Sequence, residues 1–107
     1  MKFCLNGNTA IFNINDNLDY NYVPQIKKNI DRIIKKNKNI KSIAFDLEEV
    51  NYMDTAGLAF LIFFSKKFRE DFSAINLKEE LKYIFSLDEY GKELIMKIKN
   101  KNGKTRD

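Results

Sequence analysis

The residues with chemistry to offer lie close together near the middle of the chain: Asp46, Glu48, Glu49, Asp54 and Thr55. Paired carboxylates can in principle share acid–base work. At neutral pH that work usually enlists histidine, and the 107 residues contain none. The sequence also has no phosphate-cradling glycine loop and no nucleophile elbow. The single cysteine, Cys4, with no histidine to join it, rules out a zinc cluster. The four acids therefore read as solvated loop residues, and neither a catalytic residue nor a metal or cofactor site is expected. A hydroxyl has another use. Asp and Thr are both good helix caps, and a helix start carries free N–H groups and about half a unit of positive charge. An unmodified Thr55 is a small neutral donor and acceptor that a partner can cover. A phosphorylated Thr55 gains a charge of about −1.5 to −2, which a helix start tolerates and an apolar interface does not. The plainer reading is that Asp54 or Thr55 is only a cap, worth about 1 kcal/mol.

The elements that must hold this pair follow from the pattern around it. Ile40 to Leu47 reads as a strand whose Ile43, Ala44 and Phe45 are apolar on both faces. After a polar loop, Thr55 to Phe68 reads as a helix, with Gly57 leaving its first turn open to close approach. Leu58 to Phe64 is apolar around nearly the whole circumference, more than the roughly 100° stripe needed to lie on a sheet. The surplus must meet another helix of the domain or a partner.

Upstream, Phe3-Cys4-Leu5 and Ala10 to Ile14 flank Asn6-Gly7-Asn8, a hairpin signal because Asn and Gly tolerate positive φ. Cys4 is expected to be a small buried hydrophobe in that hairpin. Val23, Ile26, Ile30, Ile33 and Ile34 recur at helical spacing over Val23 to Lys36, with Pro24 in the first turn. Downstream, Phe72 to Leu77 reads as a short strand, Leu77 to Phe85 as a third helix and Leu94 to Ile98 as a last edge strand. The order β-β-α-β-α-β-α, with a final strand, gives an α/β fold: a mixed sheet of four to five strands with helices mainly on one side.

Length allows one domain, and 44% hydrophobic with 32% charged residues suits a globular chain. No apolar run reaches the roughly 18 residues of a membrane span, and the amino terminus turns polar too soon for a signal peptide. Direct membrane insertion is not expected, and a cytoplasmic location is. The net charge of +4 collects in Lys35 to Lys38 and in the tail from Lys97 to Arg106, neither interleaved with aromatics. Solvated charge, with no nucleic-acid partner, is the expectation.

Ile43-Ala44-Phe45-Asp46-Leu47, then Val50, then Met53-Asp54-Thr55-Ala56-Gly57-Leu58 resembles the signature of STAS domains, named for sulfate transporters and anti-sigma-factor antagonists. That signature is an apolar strand ending in Asp-Leu, a short loop, and Asp-Ser/Thr-small-Gly-Leu opening a helix. Ile14 to Asp19 is similar to the family's Gly-Glu-Leu-Asp segment, with Asp16 where Gly is usual. Asn76 to Leu81 and Ile84 to Leu87 resemble its last strand-to-helix passage. The resemblance, from about Thr9 to Leu94, implies a non-enzymatic regulatory module; with it the chain reads as a STAS-like domain over 1–99, and residues 100–107 read as a flexible basic tail. It implies partner binding through Asp54, Thr55, Ala56, Gly57 and Leu58. In the anti-sigma-factor antagonists, the residue matching Thr55 is phosphorylated by a serine/threonine kinase that is also the anti-sigma factor. The Thr-Ala pair and the apolar helix also resemble the small cytosolic STAS subunit of bacterial lipid-transport ABC systems, which docks on the transporter ATPase.

Overall fold

The computed structural model describes residues 1–99. Strands β1 (Lys2–Asn6) and β2 (Thr9–Asn13) form an antiparallel hairpin. Helix α1 (Val23–Lys36) crosses to β3 (Ser42–Asp46), which pairs parallel to β2, and α2 (Thr55–Phe68) crosses to β4 (Phe72–Ile75), parallel to β3. The mixed sheet has the order β1-β2-β3-β4. Period-two alternation sends Ala10, Phe12, Ile43, Phe45 and Ala74 into the core. Ile26 and Ile30 of α1 and Leu58, Phe60, Leu61 and Phe64 of α2 meet them there. Phe45 sits at the centre, its ring 5.4 Å from Phe60, 5.5 Å from Phe64, 5.8 Å from Phe12 and 5.9 Å from Phe72. Such edge and tilted pairs each add about 1 kcal/mol beyond area burial. They lock α2 to the strand that precedes it, and so fix where the helix starts.

Three expectations change. Cys4 is exposed, not buried. Its neighbour Phe3 takes the helix side, stacking on Phe12 at 5.2 Å, and alternation turns Cys4 to the other face. The thiol should therefore react with a disulfide reagent in the native protein as completely as in denaturant. Protection that only denaturant removes would mean that this face is covered.

The expected third helix winds instead as a 3-10 segment over Glu79–Leu87, with Leu81, Ile84 and Phe85 turned inward as anticipated. Its start has no side-chain cap, and the Ser86 hydroxyl donates back to the Tyr83 carbonyl at 2.6 Å, a local bond that competes with the α ladder. The expected last strand does not form: its Met96 and Lys97 lie in a turn, and its Leu94 and Ile95 close helix α3 (Glu89–Ile95). Asp88 opens it by accepting the Tyr90 and Gly91 N–H groups at 2.7 and 3.3 Å, and Leu94 is buried. Just past the expected span, Lys99 makes a single parallel bridge to Ile75. The basic tail expected over 100–107 lies outside the described residues.

Candidate functional site

Two loops meet at the start of α2. Loop 14–22 leaves β2, and loop 47–54 leaves β3. They are stitched backbone to backbone: Leu18 N–H donates to the Tyr52 carbonyl at 3.0 Å, and Asp54 N–H donates to the Leu18 carbonyl at 3.2 Å. Leu18 and Met53 form a parallel bridge, and both are buried together with Ile14, Leu47 and Val50. Asp16 stands in the first loop without a left-handed backbone, so the position usually held by Gly in the STAS pattern makes no special demand here. Asp19 is 7% exposed, and its Oδ1 accepts the Asn21 and Tyr22 N–H groups at 3.0 and 3.2 Å, turning the chain into α1.

Asp54 is the N-cap of α2. Its Oδ1 accepts the Ala56 and Gly57 N–H groups at 2.9 and 3.2 Å, and its Oδ2 accepts the Tyr20 N–H at 3.1 Å. One carboxylate thus closes the helix start and ties the neighbouring loop to it. Asp54→Ala should cost about 2 kcal/mol, because it removes the cap and leaves Tyr20 unanchored. A chemical denaturation curve should show this as a lower midpoint at unchanged slope.

Capping by Asp54 leaves Thr55 free for other work. Thr55 is the first helical residue, is exposed, and takes no part in the cap. Ala56 is half-buried. Gly57 and Leu58 are buried, so of the five residues singled out in the sequence these two shape the site from beneath. Gly57 lies directly under the Leu18 carbonyl: a Cβ there would fall 2.1 Å from that oxygen. From Thr55 the outer face of α2 continues through Ala59, Phe63, Lys66 and Lys67, all exposed, with Ile62 half-buried beside them. Thr55 and Phe63 are eight residues apart, about 12 Å along the axis. Exposed Tyr20, Tyr22 and Tyr52 lie on the two stitched loops. Sequence reasoning did not single them out; the signal available was three tyrosines crowded into two loops next to the helix cap.

Of the other acids, Glu48 and Glu49 are exposed and Asp46 is engaged in loop structure. Asp46 Oδ1 accepts from the Glu48 N–H and from the Asn76 side-chain amide, both at 3.1 Å. Lys78 donates to the Glu48 carbonyl. Among the described residues, no group of three or more Cys, Asp or Glu side chains is placed to hold a metal ion, and no helix is long and apolar enough to cross a membrane.

A four-stranded mixed sheet carrying an Asp-capped helix, with an exposed threonine as the helix's first residue, defines an α/β domain of one recognisable kind. The chain belongs to the STAS domain family, whose model matches residues 5–101. No curated protein matches its sequence. Among solved structures it is similar to the anti-sigma factor antagonist SpoIIAA in its unphosphorylated form, with a TM-score of 0.70 and 16% identity over 91% of this chain and 84% of that one. It is also similar to the Bacillus cell fate determinant SpoIIAA in its phosphorylated form, with a TM-score of 0.64 and 15% identity over 91% of this chain and 86% of that one. At that identity the likeness is one of fold.

Proposed function

We propose that this protein is a non-enzymatic regulatory module of the anti-sigma-factor-antagonist kind, which binds a partner protein through the start and outer face of α2 and is switched by phosphorylation of Thr55. The observation that carries the reading is the division of labour at the helix start. Asp54 alone closes the cap, so the adjoining exposed hydroxyl can be covered, or can gain a phosphate, without unfolding anything. The family supports it, and so does the fold shared with SpoIIAA, a protein solved in both unphosphorylated and phosphorylated forms. The partner in this reading is a serine/threonine kinase that is also an anti-sigma factor.

The uncharged run Thr55, Ala56 and Ala59 along the helix, ending in exposed Phe63, favours a second reading: constitutive docking on the ATPase of a lipid-transport ABC system. Affinity capture with the native protein, followed by mass spectrometry of the captured chain, separates the two. A kinase that adds one phosphate to the wild type and none to Thr55→Val supports the switch. A transporter ATPase, bound by an unmodified module, supports the docking subunit. Capture that persists unchanged in Thr55→Glu sinks both.

A further inference from the structure

Beyond the Thr55 end, the outer face of α2 runs into a groove shared with α1. It measures about 390 Å³ and is lined by Lys27, Asp31, Ile34, Lys35, Phe63 and Lys67. Phe63 is 42% exposed, and its ring stands perpendicular to that of Phe64 with the centroids 5.0 Å apart. The Lys27 ammonium lies 4.4 Å from the Phe63 ring centroid and that of Lys67 lies 6.0 Å away. Three lysines face one carboxylate here, and Lys27 already pairs with that carboxylate, Asp31, at 2.8 Å. Lys35 and Lys67 have no ion-pair partner among the described residues. An exposed aromatic ring rimmed by cations is not what a helix pair needs for its own packing, since α1 already buries Ile26 and Ile30 and α2 buries Phe60, Leu61 and Phe64.

We infer that this groove is the specificity half of the docking surface, and that it takes an acidic amphipathic segment of the partner protein: an apolar side chain seated on Phe63, with flanking carboxylates on Lys35 and Lys67. The inference rests on the Thr55-centred reading and adds the partner's chemistry to it. Charge complementarity selects the occupant. A phosphate backbone would meet Asp31 and find one aromatic ring where successive bases need several. A lipid surface would find a single partly covered ring in place of a broad apolar face. A protein segment needs one apolar anchor and two or three matched charges, which is the groove's content. The chemistry also divides the surface. The Thr55 end has no lysine or arginine to receive an added phosphate, whereas the Phe63 end is basic and steers the partner in.

The test is an NMR titration of the full chain with a synthetic amphipathic helical peptide whose apolar Phe–Leu face is flanked by glutamates. Its glutamine analogue, a single-stranded oligonucleotide and mixed phosphatidylglycerol–phosphatidylcholine vesicles serve as the other probes. The glutamate peptide should shift the resonances of Lys27, Asp31, Phe63 and Lys67. The glutamine analogue should bind about tenfold more weakly, as should the glutamate peptide to Lys35→Gln/Lys67→Gln or Phe63→Gln. Equal binding of the two peptides, shifts that avoid the groove, no shifts at all, or preferential binding of the oligonucleotide or vesicles to these residues each overturn the inference. The two proposals also fail separately. If the captured partner ignores Thr55→Glu, the switch is wrong. If it responds to Thr55→Glu but binds Lys35→Gln/Lys67→Gln and Phe63→Gln as it binds the wild type, the groove is wrong and the switch stands.

Discussion

Thr55→Glu should weaken partner binding by about 100-fold, a loss of about 2.7 kcal/mol, while leaving the fold as stable as the wild type or slightly more so. The two effects have opposite signs because they act on different states. In the free protein a carboxylate on the first residue of α2 meets the positive end of the helix, and that first turn now holds no acidic residue. An exposed charge there contributes about 0.5 kcal/mol. In the complex the same carboxylate is pressed into a surface whose neighbours are Ala56 and Ala59, and no lysine or arginine lies in the first two turns of α2 to receive it. Burying an unpaired charge costs several kcal/mol even after relaxation. Thr55→Val separates charge from shape. It keeps the branched side chain, cannot be phosphorylated, and should hold affinity within about threefold of wild type. Isothermal titration against the captured partner, with a melting curve for each variant, reads both quantities. A Glu variant that melts early has lost its fold, and its weak binding would say nothing about a switch. One that melts normally and binds at full strength refutes the assignment of Thr55.

Much of this site is legible in the chain because its signals are local. The isoleucine spacing of α1 and the Asp-Thr-Ala-Gly-Leu entry to α2 give both helices to the residue, Val23–Lys36 and Thr55–Phe68. The Asn-Gly pair gives the hairpin. What local pattern does not carry is orientation and long-range seam. Alternation within β1 permits either face for Cys4, and only the stacking of Phe3 on Phe12 decides it. The surplus apolar surface of α2 had two destinations. The structure divides it, with Leu58, Phe60, Leu61 and Phe64 buried under α1, the sheet and the carboxyl-terminal elements, Ile62 half-buried, and Ala59 and Phe63 exposed. Helix α3 carries a local signal of its own. Asp88-Glu89-Tyr90-Gly91 repeats the device of Asp54-Thr55-Ala56-Gly57: a capping Asp accepts two N–H groups, and a Gly three residues on sits beneath a backbone carbonyl. The apolar run from Leu94 to Ile98 fits a strand equally well, and only the Asp88 cap in front of it separates the two.

That device predicts a large stability loss. Gly57→Ala should destabilise the fold by about 3 kcal/mol and lower the melting temperature by roughly 15 °C, which circular dichroism would record. The added methyl would sit 2.1 Å from the Leu18 carbonyl oxygen, 2.9 Å from Leu18 Cβ and 2.7 Å from Met53 Cγ. Met53 can swing aside, but the Leu18 carbonyl is backbone, held where it accepts the Asp54 N–H at 3.2 Å. Relief therefore requires opening the seam between the two loops, which breaks that bond and draws Tyr20 off Asp54 Oδ2. The damage should be directional: amide exchange should quicken first at Leu18, Tyr20 and Asp54 and spare the β1–β2 hairpin. Gly91→Ala is the internal control. Its Cβ would fall 2.4 Å from the Phe85 carbonyl, an equally hard clash, but in α3 and far along the chain from Thr55. The two variants should lose comparable stability, and under conditions where both stay folded only Gly57→Ala should also weaken the partner. Equal loss of binding in both would mean that the partner reads global stability and not the geometry under the hydroxyl.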